Sequence, residues 1–506
     1  GDAYIGENKN EAFRRKAREL KEILDARATT PHRLCMNGGD HHFPEPYLPQ
    51  ALRVMTALGQ GEFIHSSIPA YVAAVQQHLR EHQIELRQVE GELHWGFRYA
   101  FAVQSGVNSS RMYLKQANHA AEKMLTRYVE PLVMWATWAG RQQLFAMLEH
   151  AWKLLLQNHP HDSICGCSID AVHREMMTRF EKVQQVGEAI IDKSVRRLHP
   201  DAWEGHESIL VFNPQMRKAS QVVAAPVEFF RQKIVVGLNP TVRVKKPLPL
   251  ISGFCLRDEK GNEVPYQVLQ HEPEGHGLRY SDYSYPSKRL TERFHVLLDA
   301  AQVPGLGLAR YRVDLKDGMP VYHSSLRAQE NVLENDFLRA EVQANGALNL
   351  QDKRTGEQFS GLHVFEDGGD AGDEYNYSYP RKDAVFTSHD AAATVTLVET
   401  GPLRATIEIA LVLLLPEGLS ESRRSRARRR VQLPIRTRVS LYHNQPWVEF
   451  QTTVENNAKD HRLRVLFPSG FRTNVSYADT QFGITRREHH AVNPTEYKIE
   501  VPTAVH

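Results

Sequence analysis

From about residue 110 to 198 the apolar positions recur at helical spacing. Ala121, Met124, Leu125, Tyr128, Leu132 and Trp135 form one stripe. Leu144, Leu148, Trp152 and Leu155 form a second, and Val172, Met176, Phe180, Val183 and Ile190 a third. Apolar residues three and four apart lie on one side of a helix, so the pattern predicts three helices packed as an antiparallel bundle. Pro200 closes the third.

Residues 1–90 alternate between the two periods. A charged helical run covers Glu11 to Leu24, followed by a short apolar strand Arg33 to Met36 and a helix Ala51 to Leu58. A strand Phe63 to Ser66 and a helix Tyr71 to Leu79 complete the series. Such alternation predicts an α/β layer with parallel strands. Beyond residue 205 nearly every run has strand character, as in Ile209–Phe212, Phe294–Leu298, Thr394–Val398, Ile407–Leu413, Val431–Tyr442 and Trp447–Val454. Turn signals stand at Asp317-Gly318 and Asn345-Gly346, so this half is expected to build large antiparallel sandwiches. The expected fold class is α+β multidomain: part of an α/β barrel (1–90), a three-helix bundle (91–200), a β-sandwich (201–325) and a larger, incomplete sandwich (326–506).

Composition narrows the function. With 506 residues the chain is long enough for several cores. Its 62 Lys and Arg nearly balance 60 Asp and Glu, so no overall field recruits nucleic acid or an anionic membrane. The run Arg423 to Arg430 reads as a solvated hairpin, because no aromatic residues interleave with its arginines. No apolar run approaches the roughly 20 residues of a membrane helix. Four scattered cysteines do not make a disulfide framework, and a reducing, cytoplasmic setting is expected.

Three segments could carry chemistry. Between the second and third bundle helices, Asn158 to Ser168 holds His159, His161, Asp162, Cys165 and Cys167. Imidazole and carboxylate suit a divalent metal, although the same residues could equally be turn and cap groups. The two cysteines stand one residue apart, which is not zinc-knuckle spacing, and are expected to be small buried packing. A second segment, Met36 to His42, runs from an apolar stretch through two glycines to Asp40. Asp40 is either a turn aspartate or, at the end of a barrel strand, an acid–base group. A third, Glu366 to Pro380, mixes acids with tyrosines. That composition fits a sugar site, because carboxylates accept from hydroxyls and rings stack on pyranoses; a solvated acidic loop is the alternative.

HPHDSICGCSIDAVHREM (159–176) resembles the His-Asp segment of glycoside hydrolase family 38 α-mannosidases in its bacterial form. CMNGGDHHFPEP, SSRMYLKQ, GDEYNYSYP, DHRLRV and ADTQFG follow the bacterial branch, which includes mannosylglycerate hydrolases, in the same order. The resemblance implies a retaining α-mannosidase in which one zinc ion contacts the sugar. It implies that His161 is a zinc ligand, that Asp162 and Tyr375, with Asp373 beside it, bind the substrate, and that Asp40 is the general acid/base. The implied substrate is an α-mannoside or a mannosyl-glycerate-like small molecule. Neither nucleic acid nor a membrane is expected as a partner, and a homodimer is allowed for. In the implied double displacement an aspartate nucleophile and the acid/base stand about 5–5.5 Å apart.

One departure stands out. Family members open with a His-x-Asp zinc pair and an Asp-containing nucleophile motif before Phe-Gly, and this sequence has neither. Asp479 to Gly483 matches a different, C-terminal segment. The expectation is a chain truncated at both ends, with little hydrolysis by residues 1–506 alone. The alternative from another class is a non-catalytic carbohydrate-binding scaffold.

Overall fold

The computed structural model describes residues 8–26, 28–39, 41–86, 88, 105–138, 143–198, 208–234, 246–279, 285–375, 377–480 and 483–488. The chain divides into two units, residues 1–93 and 94–506.

In the first unit, α1 (Lys9–Asp25) starts at Asn8, whose side chain accepts from the Asn10 amide and caps the first turn. It buries Ala12, Phe13 and Ala17 with Ala51 and Met55 of α2 (Leu48–Thr56). Ser67 caps α3 (Ile68–His82) in the same way. The three helices lie where the periodicity puts them. The segments Arg33–Met36 and Phe63–Ser66, expected as strands, carry no strand pairing, and no ladder occurs among the described residues of this unit. A strand is defined by its neighbours, and without them Met36 and Ile64 remain 76% and 66% exposed. The barrel part of the expectation therefore has no counterpart among these residues.

In the second unit, the first long helix runs through α4 (Met112–Met124), a π turn at Leu125–Val129, and α5 (Glu130–Trp138). It is followed by α6 (Gln143–Leu156), the short α7 (His161–Cys165) and α8 (Asp170–Leu198). Along α8 the buried residues are His173, Met176, Phe180, Val183, Gly187, Ile190 and Ser194, alternating steps of three and four that keep one seam against α4 to α6. The π turn changes one expectation. Its extra residue rotates the stripe, so Val129, Val133 and Ala136 enter the core. Tyr128 and Trp135 instead meet Phe212, with centroids 6.3 and 6.1 Å apart, and tie the bundle to the sandwich that follows.

That sandwich has two antiparallel sheets. One orders β1 (Ser208–Asn213), β7 (Gly307–Leu315), β3 (Phe254–Arg257) and β4 (Glu263–Val264). The other orders β2 (Ala219–Lys233), β6 (Ser287–Val303) and β5 (Tyr266–Arg279). Phe254, Tyr266, Phe294, Val296 and Leu298 fill the space between them.

The C-terminal half adds a five-stranded sheet, β8 (Arg327–Gln329) to β12 (Gln358–Leu362) in sequence order. A four-stranded sheet runs β15 (Thr394–Glu399), β16 (Arg404–Pro416), β17 (Arg430–Tyr442) and β18 (Val448–Val454). Every second residue of β16 from Ala405 to Leu415 is buried, the period-two signature of a sheet with one covered face. A third sheet orders β14 (Phe386–Thr387), β13 (Val364–Gly369) and β19 (His461–Leu466); β20 (Val475–Thr480) and β21 (Gly483–Glu488) form a hairpin. Asn345-Gly346 makes the β10 (Leu338–Val342) to β11 (Leu348–Asp352) turn, where Gly346 takes φ +83°.

Candidate active site

The helical turn that carries His161 is built by three devices. Asn158, fully buried at the end of α6, donates to Met176 O at 3.0 Å and accepts from Arg179 at 3.2 Å, fixing the turn to α8. Pro160 starts α7 and Gly166, at φ +93°, ends it. The chain then doubles back, so that the amides of Gly166, Cys167 and Ser168 all point to Asp162 O at 3.2 to 3.3 Å. Arg111 clamps the outside, donating to Gly166 O and to Asp170, both at 2.9 Å. Lys115 donates to Cys165 O at 3.0 Å; burial and the neighbouring Arg111 hold its ammonium below the ordinary lysine range.

This scaffold leaves the chemistry-bearing side chains outside. His161 is 91% and Asp162 65% exposed, with Nε2 3.5 Å from Oδ1. The Cys167 thiol lies 3.4 Å from the same Asp162 oxygen. From the far side comes the loop after β13, whose Tyr375 stands beside Cys167. The neighbouring Cys167 thiol, with Glu374 and Asp162, pushes the phenol up to about 12, and it is a neutral hydroxyl near neutral pH. Asp373 Oδ1 accepts from the Tyr375 amide at 3.0 Å, an Asx turn that sets the direction of the tyrosine.

Four of the five residues expected from sequence thus fall on two neighbouring segments of the second unit: His161 and Asp162 on the bundle turn, Asp373 and Tyr375 on the sandwich loop. Asp40 lies outside the described residues. The cysteine expectation needs correction. Cys167 is half-buried and stands between Asp162 and Tyr375, because Gly166 reverses the chain and brings residue 167 back over residue 162. The one signal in sequence was that glycine just past a short acidic helix.

The arginine run also departs from expectation. Arg426 is buried, its guanidinium 2.7 Å from the equally buried Asp367, which takes His461 Nδ1 at 2.5 Å on its other oxygen. A buried carboxylate of this kind attracts buried cations, and linear sequence cannot show that Asp367 lies beneath residue 426.

Zinc takes about four donors, and among the described residues no group of three His, Cys, Asp or Glu is arranged to hold a metal. His159 Nε2 is taken up by Asn118 Oδ1 at 2.7 Å. His161 and Asp162 are of the right chemistry but form at most one edge of such a site. No helix among the described residues is long and apolar enough to cross a membrane.

Comparison with known proteins agrees with this architecture. Residues 103–198 match the alpha mannosidase middle domain, and residues 333–505 match the glycosyl hydrolases family 38 C-terminal domain. The chain is similar to a protein of Halalkalibacterium halodurans named "Putative mannosylglycerate hydrolase", 28% identical over 92% of this chain and 54% of that protein. It thus spans about half the length of that relative. Human alpha-mannosidase 2C1 is 28% identical over 26% of the chain and 13% of its own length. The crystal structure of an alpha-mannosidase from Enterococcus faecalis superposes with a TM-score of 0.83 at 29% identity, over 96% of this chain and 56% of that one. A second Enterococcus faecalis structure, of a protein in glycosyl hydrolase family 38, gives 0.77 at 29% identity over 95% and 57%. With the bundle turn, the sandwich order and both domain matches in agreement, the chain belongs to glycoside hydrolase family 38, of which it carries the middle and C-terminal domains.

Proposed function

We propose that this chain serves a cytoplasmic, retaining α-mannosidase that removes terminal α-linked mannose from a small glycoside. The observation that carries the reading is the convergence of His161, Asp162, Cys167 and Tyr375 at the mouth of the bundle turn. An exposed carboxylate next to an imidazole and a neutral phenol supplies what sugar hydroxyls need: a charged acceptor and a neutral donor in fixed relation.

In this mechanism Asp162 accepts from mannose hydroxyls next to the reacting carbon. Tyr375 donates to the same sugar, and Asp373 lines the loop beside it. Asp40 protonates the departing oxygen and then takes a proton from the attacking water. No residue of this chain is assigned the nucleophile's part. His161 is proposed as a zinc ligand; a bound zinc supplies Lewis-acid orientation of the sugar hydroxyls. Among the described residues no group of three donors completes such a site.

The test is hydrolysis of an aryl α-mannoside by the protein as its gene encodes it, with the first-formed anomer read by proton NMR. Release of α-mannose, slowed at least about tenfold by Asp162→Asn, is expected. Unchanged turnover in that variant, or a preference for β-mannosides, overturns the assignment.

A further inference from the structure

The loop that presents Tyr375 is not held by its own residues alone. Its entrance is Asp367 and Gly369 at the end of β13, and its exit is Pro380 to Ala384. The arginine-rich hairpin between β16 and β17 touches both, and the middle as well. At the entrance, Arg426 ion-pairs with Asp367 at 2.7 Å, and its stem packs so closely that a Cβ on Gly369 would lie 2.7 Å from Arg426 Cδ. At the exit, Lys382 N donates to Arg424 O at 2.8 Å, and Arg426 donates to Ala384 O at 3.4 Å. In the middle, Arg423 donates to Gly372 O at 3.2 Å and pairs with Asp460 at 3.4 Å, while Asp460 O accepts the Asp370 amide at 2.9 Å. Two arginine side chains, and the backbone of a third arginine, in a segment that looks like a solvated charge run thus engage one loop.

We propose that Arg423 and Arg426 are positioning residues that hold the loop after β13 so that Tyr375 remains beside Cys167 at the bundle turn. A loop with a glycine at its middle, Gly372, samples many conformations unless its carbonyls and carboxylates are engaged from outside. Arg426 fixes where the loop leaves the sheet, and Arg423 fixes its middle. The α-mannosidase reading gives the held tyrosine its task, but the placement of the loop can be measured without turnover.

The measurement is the rate at which iodoacetamide modifies Cys167 in the native 506-residue chain, followed by mass spectrometry of its peptide. Tyr375→Ala uncovers the thiol directly and sets the scale. Arg423→Ala is expected to speed modification about fivefold or more, the effect of roughly one opening equilibrium's worth of lost restraint. Arg423→Lys keeps the charge but not the fork, and falls between. Arg429→Ala removes an exposed arginine that pairs with Glu417 and leaves the rate unchanged. Cys255, buried in the first sandwich, reports global unfolding. Should Arg423→Ala make Cys255 reactive, Asp460→Asn loosens the same contact from the other side and decides the matter. The proposal is overturned if Tyr375→Ala accelerates Cys167 modification while Arg423→Ala and Asp460→Asn, still folded, do not. It is equally overturned if Tyr375→Ala has no effect, because the tyrosine then does not sit on the thiol. The enzyme reading stands or falls separately on Asp162→Asn turnover.

Discussion

Tyr375 stands beside Cys167, whose thiol lies 3.4 Å from Asp162 Oδ1, so that a sandwich loop and a bundle turn share one polar line. The two ends of that line differ in charge, and this ranks their expected contributions. A hydrogen bond to an ionised carboxylate contributes about 1.5–3 kcal/mol and a neutral one about 0.5–1.5. On an aryl α-mannoside, Asp162→Asn is therefore expected to lower kcat/KM by roughly 10- to 150-fold and Tyr375→Phe by about 2- to 10-fold. Steady-state kinetics of the two variants check the order; a larger loss for Tyr375→Phe would make the phenol, not the carboxylate, the main anchor of the sugar.

Metal content tests His161. Its ring is exposed and its nearest carboxylate is Asp162. His161→Ala is expected to lower the zinc retained after gel filtration, measured by elemental analysis, by at least about tenfold, the scale on which a lost ligand or its orienting partner acts. His159→Ala, whose ring is committed to Asn118, is expected to leave the zinc content alone.

Asp40 is tested through the leaving group. A general acid matters most when the departing oxygen is a poor leaving group. Asp40→Asn is expected to lose about 100-fold or more on an alkyl α-mannoside, within the range attributed to acid–base catalysis, yet far less on a dinitrophenyl α-mannoside. Equal losses on both substrates remove Asp40 from proton transfer.

Gln267 joins the two sandwiches. Its carbonyl accepts from the amides of Leu403 and Arg404 at 3.0 and 2.9 Å, and its NH2 donates to Glu399 at 2.6 Å and to Arg404 O at 3.2 Å. Every hydrogen-bonding position of the side chain is used, and Gly401 leaves room for it, since a Cβ there would come within 2.1 Å of the amide carbon. Gln267→Ala strands two amides and is expected to cost about 2–4 kcal/mol in urea unfolding of the sandwiches. Gln267→Glu keeps the acceptor but sets a second carboxylate against Glu399, and is expected to destabilise as well.

His363 predicts a pH dependence. The ring is buried, donates from Nδ1 to Gly346 O at 3.2 Å and accepts on Nε2 from Thr437 at 3.1 Å, an arrangement that fits the neutral imidazole. Burial holds its pKa below the ordinary value near 6.5. With the folded pKa depressed, its contribution is complete above about 6.5 and declines as pH falls from there through the folded value. The urea midpoint is expected to drop between pH 7 and 5. Because residue 363 has φ +64°, which asparagine tolerates, His363→Asn is the variant to compare, and its midpoint should change less over that range. Parallel pH profiles for both proteins would exclude this histidine as the source.

Much of the architecture was legible in the chain itself. The stripes from Ala121 to Ile190 and the alternation along β16 follow from local periods of 3.6 and 2, which depend only on which face of an element is covered. The His161-Asp162 and Asp373-to-Tyr375 segments were recognisable for another reason, their resemblance to family segments, since their residue types alone fit a turn or a solvated loop equally well. The strands expected near Arg33 and Phe63 were not settled this way, because a strand exists through its neighbours.

Only the tertiary structure decided what crosses between elements. The π turn at Leu125 moved Tyr128 and Trp135 out of the bundle core and onto Phe212. Gly166 folded Cys167 back over Asp162, and the second sandwich brought Tyr375 to the same thiol. Arg426, one of six arginines in a run that sequence reads as solvated, is buried because Asp367, 59 residues earlier, lies beneath it. Local sequence sets which face of an element is apolar; which distant charge or hydroxyl meets it is fixed only when the elements pack, because that choice depends on desolvation and distance rather than on periodicity.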